Sequence, residues 1–375
     1  MLATRRVLLA TSALAGFAWP GPAALAADVT PGGAPDITIS GFARGLAIGG
    51  DVDNLRLDPT VSTGLDFFND TEVHVLLRNK HDATGIEYGG TVEFEADTSS
   101  TANTDETWLF LRGRFGEIRL GDEDGVSDSD GLAVSANTVS AGTGTDGLDG
   151  DQFEVLAGGV KTFESTGTSD ATKIRYVTPA YGGVQLGASY TPNLSGINSG
   201  SGNGDLLAPK GVAAGDVVEA GARYRGDLGA VGLTVGLTGL YGDVKDEDVL
   251  GGDDFWSWQA GAVVAVAGVR VGGSYLQGRY GAIEASAVTA GVGTDVGPVK
   301  LALTYGRFLS TDDLVVNDNE LDEPYVAILS GTLGLLPGLT LAGDVGYFDN
   351  DVSEKADDFG GDDGWQGVAR LGLAF

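Results

Sequence analysis

Apolar and polar residues alternate along much of the chain in stretches of about ten positions. In VGLTVGLTGLY, residues 231–241, valine and leucine take the odd positions from 231 to 237, and glycine and threonine take the even ones. VKLALTY, which begins at Val299, and GLTLAGDVGYF, which begins at Gly338, repeat the pattern. A two-residue period predicts a β-strand with one apolar face and one polar or small face.

The strands are predicted to form hairpins, in which a short turn joins two strands and a longer polar connection follows. Short turns include RFGE, PAYGG, GDLGA, TDVGP and LLPGL. An even number of strands closes an antiparallel ring. We predict sixteen, at residues 36–49, 71–81, 86–97, 106–113, 117–122, 171–178, 184–191, 216–226, 231–243, 255–266, 269–279, 282–293, 299–309, 323–335, 338–349 and 364–375.

The amino terminus reads as an export signal. A basic start, MLATRR, precedes a short apolar run and the small-residue motif AALA. This order predicts a secretory signal peptide at residues 1–26, cleaved after Ala26, and leaves residues 27–375 as one domain. Beyond it, no apolar run reaches the roughly 18 residues that a membrane-spanning helix needs. A closed barrel is the other way to pair every backbone group in lipid.

The fold class predicted is therefore all-β, a transmembrane antiparallel barrel of sixteen strands. A soluble β-sandwich is the alternative, because its strands also alternate. Sandwich packing would bury a dry core between two sheets. The face opposite the apolar one here often carries glycine, serine or threonine with occasional arginine, which favours a barrel with a wet interior.

Composition and charge exclude several function classes. The formal net charge is −31, which makes nucleic-acid binding untenable. The chain has no cysteine and only two histidines, His74 and His81. It lacks the parts for a zinc site or a cysteine nucleophile, so we expect no enzyme. Acidic clusters between the patterned stretches predict surface loops.

Three stretches and the last strand carry a family resemblance. ISGFARGL, residues 39–46, resembles the first strand of the general diffusion porins of Gram-negative outer membranes. Residues 107–125 and 172–190 resemble the hairpins that flank the pore-constricting loop in that family. The final strand ends at Phe375, which resembles the terminal aromatic signal that the barrel-assembly machinery reads.

The resemblance implies an outer-membrane channel for passive diffusion of small hydrophilic solutes and ions. It also implies a homotrimer that contacts lipid and lipopolysaccharide, with the third long loop folded into the lumen. A substrate-selective porin and a structural barrel anchored to the cell wall are the alternatives. Neither an aromatic sugar path, an unbroken basic ladder nor an extra periplasmic domain is recognisable in the sequence.

Residues 123–170 lack a convincing strand pattern, and a connection this long needs a function. The resemblance implies that it is the pore-constricting loop. Its acidic residues, with the adjoining Asp122, are the candidate acidic side of the constriction: Asp122, Glu123, Asp124, Asp128, Asp130, Asp146, Asp149, Asp151 and Glu154.

Strand parity supplies the opposing basic wall. If Ile37 and Ile39 face lipid, Arg44 faces the lumen, and the same argument turns four other arginines inward. A row of guanidinium groups opposite carboxylates would set a transverse field across the pore. The alternative is plain lumen lining in ion pairs with carboxylates such as Glu72 and Glu93. The candidates are Arg44, Arg78, Arg112, Arg119 and Arg175.

The many acidic residues also affect which ions the channel would pass and which it could bind. We expect a mild cation preference from the acidic loops, which the inward arginines oppose. The clusters at residues 122–130 and 357–363 are candidate calcium sites, because calcium takes six to eight oxygen ligands. Solvated loop charge is the alternative, and the full spacing of an EF-hand is missing. No metal site or other cofactor is assigned.

Overall fold

Antiparallel pairing joins sixteen strands into a closed ring. The computed structural model describes residues 35–52, 64–96, 104–128, 131–142, 167–194, 214–244, 254–280, 283–310, 315–316, 319–320, 324–349 and 363–375. The predicted signal peptide lies outside these residues. In the described part of the chain, no helix is long and apolar enough to cross a membrane.

The strands follow in chain order, and two of them stand apart from the ring. They are β1 Asp36–Val52, β2 Asp66–His81, β3 Ile86–Glu95, β4 Thr104–Gly113, β5 Gly116–Asp122, β6 Thr172–Val177, β7 Val184–Asn193, β8 Ala214–Leu228, β9 Val231–Val244, β10 Asp254–Val266, β11 Val269–Tyr280, β12 Ile283–Val296, β13 Val299–Ser310, β14 Val315–Val316, β15 Asn319–Glu320, β16 Tyr325–Leu336, β17 Leu339–Asp349 and β18 Asp363–Ala374. The short strands β14 and β15 form a separate hairpin, so β13 pairs with β16.

The first and last strands close the ring. β1 and β18 pair from Phe42 opposite Ala374 to Val52 opposite Gly364. Phe375 and Gly41 exchange two backbone hydrogen bonds of 3.1 Å each. The prediction of a sixteen-stranded antiparallel barrel is confirmed. β2 begins at Asp66, five residues before the predicted start at 71, in DFFND, where acidic and aromatic residues obscure the alternation.

Alternation separates an outer face from an inner face on each strand. On β9, Leu237 is 56% exposed while the next residue, Thr238, is 2% exposed. On β13, Leu303 is exposed and Thr304 is buried, as the period of two requires. Large apolar side chains on the outside suit lipid. The inside carries small and polar side chains and also a buried apolar cluster that includes Phe308, Ile328 and Phe348.

Tight turns and aromatic side chains mark the two rims. Ala267 and Gly268 join β10 to β11 with φ values of 50° and 82°, which suit a two-residue hairpin turn. At the opposite, long-loop rim, aromatic rings of neighbouring strands contact one another on the outer face. Their centroids are 6.1 Å apart from Tyr325 to both Tyr305 and Tyr347, and 5.0 Å from Tyr347 to Trp365.

Candidate functional site

The described residues of the connection between β5 and β6, which are 123–128, 131–142 and 167–171, contact the inner face of the barrel. We call its residues 123–142 the first arm and residues 167–170 the return turn; residues 129–130 lie outside the described part. Hydrogen bonds join the arm to residues near the middle of β7, β10, β12 and β16. They run from Val126 N to Ser189 Oγ (3.4 Å), Gln259 Nε2 to Val134 O (3.4 Å), Ala136 N to Thr289 Oγ1 (3.1 Å) and Thr332 Oγ1 to Ala141 O (2.6 Å).

The arm packs closely against these strands. Leu132, Val134 and Val139 are buried, and a short 3-10 helix, Ala136–Val139, follows a Ser135 cap. A Cβ at Gly261 of β10 would lie 1.6 Å from Val134 O, so only glycine admits the arm there. The arm therefore follows the wall from β7 to β16 at mid-height, on the side away from β1 to β4.

One acidic residue of the arm meets two of the predicted arginines. Glu123 Oε2 accepts hydrogen bonds from Arg119 Nη1 at 3.0 Å and Arg175 Nη1 at 3.2 Å. The Glu123 side chain is 1% exposed, and this burial raises the pKa of its carboxyl against the opposing effect of the arginines. Arg119 also lies 4.0 Å from the ring centroid of Trp108. The structure thus brings Arg119, Arg175 and Glu123 together.

The other three arginines of the predicted wall lie elsewhere. Arg44, at mid-height on β1, pairs with Asp70 of β2 at 2.6 Å rather than with the arm. Arg112 lies at the short-turn end of β4, is half-exposed and pairs with Glu117. Arg78 is exposed near the short-turn end of β2. The five arginines therefore do not form one row.

The predicted acidic residues are also dispersed. Asp122 lies on the outer face beside Leu120 and accepts a hydrogen bond from Thr172 Oγ1. Asp128 is buried, and its backbone oxygen accepts hydrogen bonds from Gly131 N (3.0 Å) and Ala133 N (3.2 Å). The other predicted acidic residues lie outside the described part of the chain: Asp130, Asp146, Asp149, Asp151 and Glu154.

Asp124 belongs to a group of three carboxylates. Oxygens of Glu106, Asp124 and Asp170 lie within 4.8 Å of one another, a donor set that suits a calcium ion. Calcium binding stays a prediction here, as it does at residues 357–363, most of which lie outside the described part. Burial, reinforced by the charge of Asp105, raises the pKa of Asp170 to about 6.

Carboxylates also line the inner wall of β2 and β3. His74 Nε2 lies 2.7 Å from Glu72 Oε2 and 3.5 Å from Glu93 Oε2. These side chains are partly exposed at mid-height. Strand parity already places them inside the barrel, but the sequence suggested arginine partners, and the structure shows a histidine instead.

Sequence reasoning missed two residues that contact both ends of the connection. Glu219 of β8 and Lys173 of β6 are both fully buried, and both bond to the arm and to the return turn. Parity alone could have placed Lys173 inside, because it alternates with the outward Ile174. Nothing local in the sequence indicates the partners of Glu219, since Ser127 is 92 positions away.

A closed antiparallel ring with an apolar exterior, charged side chains on its inner wall and a chain segment inside it defines a membrane channel of the β-barrel class. Residues 10–353 match a family described as Gram-negative porin. The chain belongs to this family and is an outer-membrane barrel that forms a channel for passive diffusion. Among curated proteins, none has a matching sequence.

Solved porin structures share the fold. The anion-selective porin from Comamonas acidovorans is 17% identical with a TM-score of 0.60, over 91% of this chain and 100% of that one. OmpF of Salmonella typhi, in complex with daunomycin, is 16% identical with a TM-score of 0.61, over 91% and 98%. The trimer form of OmpT from Vibrio cholerae is 11% identical with a TM-score of 0.57, over 91% and 100%.

Proposed function

We propose that small hydrophilic solutes and ions cross the barrel through a passage narrowed between the first arm and the inner face of β1 to β6. The observation that carries this proposal is the course of the arm, which is bonded to the middle of the wall from β7 to β16. A segment at the middle of the wall narrows the lumen there and leaves both ends of the barrel open. No chemical step is involved.

The arrangement of charge supports filtering of solutes. Arg44 and the carboxylates of β2 and β3 line the wall opposite the arm, and Arg119 contacts the arm where it begins at Glu123. Fixed charges of both signs orient water and polar solutes, and an apolar solute would have to displace that ordered water. The passage would therefore select by size, by charge and against apolar molecules.

Ion pairing favours a mild cation preference. Arg44 is paired with Asp70, Arg112 with Glu117, and Arg119 and Arg175 with Glu123, so much of the positive charge is compensated nearby. Glu72 and Glu93 instead share His74, so these two carboxylates have one basic side chain between them. The inner face of β2 and β3 then presents net negative charge to the passage.

Reversal potentials across a potassium chloride gradient test this preference. We expect cation selectivity in the native protein and a shift toward zero in the double variant Glu72→Gln and Glu93→Gln. A unit charge about 7 Å from the path changes an ion's energy by about 0.6 kcal/mol in water, or about threefold in local concentration. An anion-selective native potential, or an unchanged potential in the variant, would refute the assignment.

The same proposal includes the oligomeric state of the protein and its binding partners. OmpT, which shares the fold, is described in a trimer form, and we propose a homotrimer here. The exposed Phe375, paired to Gly41 at the closure of the ring, is proposed as the signal for the barrel-assembly machinery. The outer aromatic rings at the long-loop rim would contact lipid and lipopolysaccharide.

A further inference from the structure

Glu219 accepts hydrogen bonds from both ends of the connection between β5 and β6. Its Oε1 accepts from Ser127 Oγ at 2.7 Å and from the backbone N of Thr168 at 3.0 Å. Its Oε2 accepts from Thr168 Oγ1 at 3.4 Å and from Ser189 Oγ of β7. This one carboxyl group therefore joins the first arm, the return turn and the wall.

Lys173 makes the complementary contacts with the same two ends. Its Nζ donates to the backbone oxygen of Glu123 in the first arm and to that of Ser169 in the return turn. The side chain is 1% exposed, and a buried ammonium group is tolerated only where it has partners. A buried acid and a buried base therefore each bridge the ends of the connection.

The backbone around Glu219 is shaped to admit its carboxylate. A Cβ at Gly125 would lie 2.0 Å from Oε2, and a Cβ at Gly167 would lie 2.5 Å from Oε1. Gly167 also has a φ of +64°, which other residues rarely adopt. Both glycines allow the first arm and the return turn to approach the same side chain.

We propose that Glu219 and Lys173 are positioning residues that clamp the two ends of the connection to the barrel wall and so fix the width of the passage. The proposal rests on the proposed function, because width matters only in a conducting channel. Both side chains are buried, so they act through the backbone that they hold. Without the clamp, the ends of the connection lose their shared attachment and the arm samples several positions.

Single-channel recording of Glu219→Ala and Glu219→Gln tests the clamp. We expect Glu219→Ala to lose the single sharp conductance level and to switch among several levels. Glutamine keeps the size and one acceptor oxygen, so Glu219→Gln should give an intermediate result. Glu284→Gln makes the same change at an exposed, outward position and serves as the matched control. Unchanged, sharp levels in both Glu219 variants would overturn the proposal.

A reversible cross-link separates loss of positioning from loss of folding. A Cβ at Gly187 would lie 3.0 Å from Val126 Cγ1, close enough for a cysteine pair to bond. The chain has no other cysteine. Val126→Cys and Gly187→Cys, added to Glu219→Ala, should restore one sharp level when oxidised and lose it when reduced. Identical records in both redox states would contradict the clamp.

Proteolysis tests the clamp without using conductance. Lys161 is the only lysine or arginine between residues 123 and 171, so trypsin has one target in the connection. We expect faster cleavage after Lys161 in detergent-folded Glu219→Ala than in the native protein and Glu284→Gln. Equal rates would argue against the clamp. A native protein that folds but does not conduct would refute the proposed function while leaving this comparison able to test the clamp.

Discussion

At the scale of single residues, the two-residue alternation predicts which face of the barrel a side chain lies on. It does not predict which residues that side chain contacts. It places Arg119 and Arg175 inside the barrel, and the structure adds that both bond to Glu123. It cannot tell that Arg112 pairs with Glu117 beside a turn, because the height of a residue on the wall depends on strand register. Glu219 was beyond prediction, since its partners come from distant parts of the chain that meet only after the ring closes.

Asp170 gives a pH prediction at this scale. Burial raises the pKa of its carboxyl from 3.8 to about 6, so the protonated form is favoured in the folded protein. Its contribution to stability is complete below pH 3.8 and is lost as the pH rises through 6. Asp170→Asn should therefore stabilise the protein more at pH 7.5 than at pH 5, by about 1 kcal/mol.

Urea unfolding in lipid vesicles at the two pH values measures this difference in the free energy of unfolding. Asp36, an exposed residue at the start of β1, provides a control through Asp36→Asn. If Asp170→Asn raises the free energy of unfolding by the same amount at both pH values, the assigned burial of Asp170 is contradicted.

At the scale of elements, the alternation of apolar and small residues was sufficient to find all sixteen barrel strands, most within three residues of their observed ends. Lipid on one side and a lumen on the other impose opposite preferences on successive residues, so the pattern is strong. The course of the first arm could not be predicted, because GLAVSANTVSAG has no regular period and its position depends on packing against inner glycines.

The two faces of β9 give a prediction at this scale. Leu237 lies mid-strand on the outer face, so Leu237→Arg should place a charge near the centre of the bilayer. We expect it to lower the free energy of unfolding by about 2–4 kcal/mol. Leu228→Arg, at the turn end of β8 on the same face, should cost about 0–1 kcal/mol. Equal losses for the two variants in vesicle-based urea unfolding would contradict the assignment of the lipid face.

At the scale of the whole molecule, a closed ring of strands surrounds the first arm. The ring pairs the backbone of each strand with two neighbours, which leaves no edge exposed to lipid. The inner face carries glycine, serine, threonine and charged residues beside a buried apolar cluster, while lipid supplies the apolar environment outside. Small residues on the inner face of β7 to β16 leave room for the arm. The opposite wall carries charged side chains.

Conductance of the purified protein in planar lipid bilayers is the most direct test of a water-filled passage. We predict discrete, stepwise openings with conductance that rises with salt concentration, because the passage remains open between the arm and the charged wall. A folded, membrane-inserted protein that produces no openings would contradict it.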